Sequence, residues 1–147
     1  IAGKTLIQYE LFAGGTGAML DYEGEIGCHC NQTNGKVGSI EMLESEFPVQ
    51  VNEFSVRRDS GGKGLYKGGC GFRRRYTILD GAATITLRSS KHDISPQGSN
   101  GGKAGATGFC QIDTDAGPKV LATMESGLVL RPGDTLVIDT PGGGGFG

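Results

Sequence analysis

Glycine decides what this sequence can fold into. The 147-residue chain holds 28 Gly, more than twice the roughly 7% share of an ordinary globular chain. They fall in blocks: Gly14-Gly15, Gly61-Gly62, Gly68-Gly69, Gly101-Gly102 and Gly142 to Gly145. Flexible linkers combine Gly with Ser and little else, whereas the stretch from Gly61 to Gly71 interleaves Gly with Lys, Leu, Tyr and Cys. Several glycines recur at every third residue, at 61 and 64, at 68 and 71, and at 102, 105 and 108. A polyproline II helix has three residues per turn, so such glycines line one edge and let neighbouring backbones approach closely. The blocks are therefore expected to be packed extended segments. Backbone contact would then replace part of a side-chain core, in keeping with an apolar content of only 36%.

Between the blocks the apolar period is two, the mark of half-buried strands. Thr5 to Phe12 is expected to be a strand with Ile7, Tyr9 and Leu11 on its buried face and Gln8 and Glu10 opposite. Phe72 to Leu79 and Ala82 to Arg88 flank Asp80-Gly81, which favours a type I′ hairpin turn. Ala83, Ile85 and Leu87 alternate with Thr84, Thr86 and Arg88. Val120, Ala122 and Met124 alternate after the Asp115-Ala116-Gly117-Pro118 turn. Leu128 to Leu130 and Leu136 to Ile138 bracket Pro132-Gly133, the pair a type II turn needs at its centre. Val49 and Val51 are out of phase with Phe54 and Val56, which predicts a bulge near Asn52 and Glu53. Only Ser39 to Glu46 suits a helix, limited by Pro48 to about two turns. The fold class is all-β, mainly antiparallel, with Gly-rich polyproline II-like extended segments and little helix. The length suits one domain over residues 1–147.

Composition excludes several functions. Fourteen Lys and Arg against 16 Asp and Glu give a net charge of −2, and no basic stretch suggests nucleic-acid binding. No apolar run approaches the roughly 18 residues of a membrane span. No start resembles a signal peptide, so a cytoplasmic protein without a disulfide framework is expected. The sequence opens on Ile1 in place of Met and closes just beyond a Gly run. Further residues at either end are to be expected.

Nucleotide-binding motifs fail on inspection. A P-loop needs Gly, four residues, then Gly-Lys-Ser/Thr. Gly35-Lys36, Gly62-Lys63 and Gly102-Lys103 lack both the first Gly and the closing hydroxyl residue. Gly3-Lys4-Thr5 ends correctly, but its first Gly would lie before Ile1 and a strand pattern follows in place of the helix a P-loop opens. No strand, GxGxxG and helix occur in sequence. The chain has no recognisable ATP site of its own.

Cys28 and Cys30 would face one way in an extended strand, and with Cys70 and Cys110 they are candidates for a tetrahedral metal set. The spacing is not CxxC, and buried, unreactive Cys is the preferred reading, with no metal in this chain. His29 is a candidate general base by its residue type. Asp59 and Ser60 suit a turn before Gly61-Gly62. In Arg73-Arg74-Arg75 the outer two share a strand face. That face can bind an anion such as bicarbonate or phosphate or, the preferred reading, meet carboxylates at a subunit interface.

Several blocks in order resemble the carboxy-terminal part of the hydantoinase B/oxoprolinase family. They are Gly14-Gly15-Thr16-Gly17-Ala18; His29 with Thr33-Asn34; Glu41-Met42-Leu43-Glu44 before Phe47-Pro48; Arg58-Asp59-Ser60-Gly61-Gly62; Gly64-Leu65-Tyr66-Lys67-Gly68-Gly69; Pro96-Gln97-Gly98 with Gly101-Gly102 and Gly105; and Leu130-Arg131-Pro132-Gly133-Asp134 running to Thr140-Pro141 and Gly142 to Gly145. They span nearly the whole chain, while the family's larger amino-terminal body has no counterpart in it. The resemblance implies β-sheets running into Gly-rich segments, and it makes His29 and Asn34 candidate catalytic residues. It also implies work beside hydantoinase A-like ATP-binding subunits and a larger hydantoinase B-like subunit. ATP and a divalent metal would sit on those partners, with no cofactor in this chain and no nucleic acid or membrane involved. The function it implies is the small, mainly structural subunit of an ATP-dependent ketone carboxylase that joins acetophenone and bicarbonate. Part of a cyclic-amide hydrolase is the alternative, and a stand-alone Gly-rich module the third.

Overall fold

A computed structural model describes residues 5–147 of the chain. Most of the Gly3-Lys4-Thr5 stretch thus lies outside the described residues. One helix and seven strands follow in order: α1 (Ile40–Glu46), β1 (Val49–Val56), β2 (Phe72–Ile78), β3 (Ala83–Arg88), β4 (Phe109–Thr114), β5 (Gly117–Val120), β6 (Met124–Leu130) and β7 (Thr135–Asp139). They form a five-stranded antiparallel sheet in the order β1-β2-β7-β4-β5 and a two-stranded sheet of β3 and β6. The all-β expectation holds. The helix is short, as Pro48 requires, and opens on Ser39, whose hydroxyl accepts from the Met42 N–H as an N-cap should.

The bulge in β1 lies where the change of phase places it. Val51 pairs with Tyr76 and Glu53 with Arg75, so Asn52 is the extra residue. The insertion puts Val49, Val51, Phe54 and Val56 opposite Ile78, Tyr76, Arg74 and Phe72, all on one sheet face. That face and the inner side of the two-stranded sheet enclose the core: Tyr76, Ile78, Cys110, Ile112, Leu136 and Ile138, with Leu43, Leu121 and Leu130. Ala83, Ile85, Leu87 and Leu128 pack against it, so the alternation read in β3 is confirmed.

Strand pairing departs from the local signals. β2 and β3 have the expected extents but form no hairpin: both edges of β2 are taken, by β1 and β7. Gly81 has φ +72 while Asp80 is not in the left-handed region, which excludes the type I′ turn. The chain there steps from one sheet to the other. The Pro132-Gly133 turn forms, with Gly133 at φ +95 and the Asp134 N–H donating to the Arg131 carbonyl at 3.0 Å. It too joins different sheets, since β6 pairs with β3 and β7 with β2 and β4. The strand expected through Val120, Ala122 and Met124 breaks after Val120. Leu121 is the buried residue there, while Val120 and Met124 are exposed.

Thr5 to Phe12 differs most. It belongs to no strand, and its expected buried row faces out: Ile7, Tyr9 and Leu11 are 86%, 82% and 43% exposed. Glu10 points inward instead. The cause is Arg74, 1% exposed, whose guanidinium lies 5.0–5.4 Å from the ring centres of Phe12, Phe54 and Tyr76. Its carboxylate partner is Glu10, 3.3 Å away, which also accepts the Tyr76 hydroxyl. A buried guanidinium demands a counter-charge, and this outweighs the apolar alternation of a short segment.

The Gly run at residues 142–145 is the axis about which the extended segments pack. A methyl on Gly142, Gly143, Gly144 or Gly145 would lie 1.9, 1.8, 2.0 or 2.5 Å from the carbonyl oxygens of Ser60, Thr16, Gln97 and Lys63 respectively. Main-chain bonds knit the same segments: Gly62 N–H to Gly143 carbonyl, Gly143 to Gly69, Gly69 to Thr16, Ser99 to Gly145 and Gly142 to Ala106, all 2.8–3.0 Å. Backbone packs on backbone here, as the Gly blocks imply.

Candidate functional site

The outer face of the five-stranded sheet is polar, and register sets its rows. Ser55, Arg73, Asp139 and Phe109 lie side by side across β1, β2, β7 and β4. The next row is Glu53, Arg75, Val137 and Gln111. Asp139, 3% exposed, accepts from Arg73 Nε at 2.8 Å and Nη2 at 2.7 Å. This two-pronged bond raises the Arg73 guanidinium further above its ordinary value. Arg57 Nε lies 3.3 Å from the same carboxylate, while its Nη1 donates to the carbonyls of Thr107 and Thr140 at 3.0 and 2.6 Å. Arg57 thereby ties the sheet to the segments flanking the Gly run. Arg75 reaches Asp113 at 3.6 Å.

Beside this cluster lies an open depression of about 310 Å³, lined by Glu53, Ser55, Val56, Arg57, Arg58 and Arg73. It is at the small end of ligand pockets. Chemically it offers guanidinium donors to a carboxylate or phosphate. Asp139 neutralises part of that charge. Of the arginine run, Arg74 is buried, while Arg73 and Arg75 meet carboxylates of their own chain and stay 45% and 43% exposed. Sequence reading missed Arg57 and Asp139. Their signal was Asp139 itself, an acid closing the apolar run Leu136 to Ile138.

The other candidates fall elsewhere. Cys28 and His29 lead into a turn from Cys30 to Asn34, closed by the Asn34 N–H to the Cys30 carbonyl at 2.9 Å. The Thr33 hydroxyl links Cys30 Sγ at 3.3 Å and His29 Nδ1 at 3.5 Å. His29 Nε2 is buried without a partner among the described residues. Cys70 lies in a glycine block and Cys110 in β4, within the core. Among the described residues no three His, Cys, Asp or Glu side chains group to hold a metal ion, and all four cysteines are free thiols. Ser60 is the turn former expected: it is buried, donates to the Arg57 carbonyl at 2.6 Å and accepts from the Gly71 N–H at 2.9 Å.

The thiols differ in reactivity. Hydrogen bonding by Thr33 lowers Cys30 below its ordinary value. Burial, then the Asp139 charge, pushes Cys110 up to about 12. The thiolate is the nucleophile, so at about pH 8 iodoacetamide should label Cys30 at least ~100-fold faster than Cys110 in the folded chain. Peptide mass spectrometry reads the two rates. Equal rates would disprove the environments described.

Against this geometry, the comparisons are specific. A family model for hydantoinase B/oxoprolinase matches residues 2–147. The chain belongs to that family. It is 35% identical to the 5-oxoprolinase of Dictyostelium discoideum over 144 residues, which are 98% of this chain and 11% of that protein. It is 40% identical to an uncharacterised protein of Methanocaldococcus jannaschii, over all of this chain and 26% of that one. Among solved structures, the ATP-dependent caprolactamase of Pseudomonas jessenii matches 92% of this chain and 24% of its own, with TM-score 0.77 and 27% identity. An acetone carboxylase matches 92% of this chain and 22% of its own, with TM-score 0.75 and 22% identity, which is a likeness of fold. The chain thus spans between a tenth and about a quarter of the length of these proteins. Among its described residues no helix is long and apolar enough to cross a membrane.

Proposed function

We propose that this chain is a glycine-locked scaffold module of an ATP-dependent assembly that opens cyclic amides. The supporting observation is its 35% identity, over nearly its full length, to one stretch of a 5-oxoprolinase. The similarity to caprolactamase, a second amide-opening enzyme by its name, points the same way. Nucleotide chemistry is assigned to a hydantoinase A-like partner, as the sequence's resemblance to the family implies. The module's own contribution is rigidity. Gly142 to Gly145 hold several extended segments in contact, and Arg57, Arg73 and Asp139 bind that lattice to the polar sheet face. The arginines beside the depression suit a carboxylate-bearing substrate such as a cyclic amino acid.

Ketone carboxylation, acetophenone to benzoylacetate, is the second reading; its support is the fold likeness to acetone carboxylase. One experiment separates the two. The native assembly is given ATP with 5-oxoproline or caprolactam, and in parallel ATP with acetophenone and bicarbonate. Ring-opened product with matching ATP consumption is expected. Carboxylated ketone without ring opening would overturn the first reading in favour of the second.

A further inference from the structure

Residues 5–13 combine three features, of which the packing around Arg74 explains only the last. They belong to no strand, and among the described residues none of their N–H or C=O groups bonds to another main-chain group. Their outward row, Ile7, Tyr9 and Leu11, is apolar and exposed. Their inward side is nonetheless fixed, by Glu10 on Arg74 and by Phe12 against Tyr76, whose ring centres are 6.5 Å apart. A segment with free backbone groups, anchored along one side and apolar along the other, is a template for strand addition. Phe54 and Val56 of β1 are themselves 38% and 39% exposed, and the Phe54 ring shares the Arg74 guanidinium with the anchored segment.

We infer that residues 5–13 are a docking strand, which pairs through its free backbone and its Ile7–Tyr9–Leu11 row with an edge strand of the larger hydantoinase B-like body. The occupant follows from length: at least 74% of each relative described lies outside the stretch that matches this chain. A piece so small within such proteins must be covered by the rest. This rests on the reading that the chain is one module of a larger assembly, and it adds where that assembly grips.

Hydrogen exchange on the intact assembly tests it. Amides of residues 5–13 should be protected to a degree comparable with β2. The Ile7→Lys/Tyr9→Lys variant should weaken retention of the larger body at least ~10-fold, while Leu65→Lys, at an exposed apolar residue elsewhere, should not. Persisting protection of Phe72–Ile78 shows that the double variant is folded. An assembly that forms while residues 5–13 exchange freely would overturn the docking strand and leave the module reading intact. Protection of the segment by a second copy of this chain, seen as a homodimer mass, would also overturn it. Failure of the wild-type chain to associate with any larger body would remove both readings.

Discussion

Glu10→Gln should lower the stability of the chain by about 3 kcal/mol, because it leaves the Arg74 guanidinium charged and buried without its carboxylate. The three aromatic rings around Arg74 attract a cation, but ring quadrupoles do not replace a full counter-charge. For a chain of this length the loss corresponds to a fall in Tm of about 10 °C. The second arm of the cycle is Arg74→Met. In the Glu10→Gln background it should recover most of the loss, since an apolar side chain of similar length removes the charge that needed pairing. Thermal unfolding of the four chains measures the coupling. Additive effects of the two substitutions would show that Glu10 and Arg74 do not act as a pair.

Gly143→Ala should prevent the native fold. Its methyl would stand 1.8 Å from the Thr16 carbonyl oxygen and 2.2 Å from the carbonyl carbon, and neither can yield as a flexible side-chain end would. Relief requires moving a main-chain segment that bonds Gly69 to Thr16 and Gly143 to Gly69. The cost therefore exceeds the roughly 1–3 kcal/mol of ordinary overpacking. Gly38→Ala is the control, because no atom lies within 4 Å of the added methyl. There the substitution should be neutral or stabilising by up to about 1 kcal/mol, through reduced freedom of the unfolded chain. Circular dichroism and soluble yield compare the pair directly. A well-folded Gly143→Ala chain would show that the glycine axis is looser than described.

These two predictions also mark how far the sequence could be read. The period-two stretches of β1 to β3, the short helix before Pro48, the Pro132-Gly133 turn and the bulge at Asn52 are local features, set by residues within a few positions of one another. Each appears in the fold where the chain alone places it. The close approach of the Gly blocks was equally legible, since few other structures need so many residues without a Cβ. Of the candidate site, the shared face of Arg73 and Arg75 follows from strand geometry.

Pairing did not follow. Asp80-Gly81 reports that the chain changes direction, and nothing local reports that β1 and β7 already occupy both edges of β2. Alternation in Thr5 to Phe12 gives two faces without saying which is inner. That was decided by Arg74, 64 residues beyond Glu10 in sequence, whose buried charge needed an acid nearby. The acid partner of Arg73 was hidden in the same way, because Asp139 meets it only across the β2–β7 register. The sequence by itself thus determined element type, turn chemistry and the demand for tight backbone packing, all consequences of short-range sterics. Edge choice, the inward face of the first segment and the Arg57–Arg73–Asp139 cluster depend on charges and hydrogen-bonding groups far apart in the chain, which only the tertiary structure brings together.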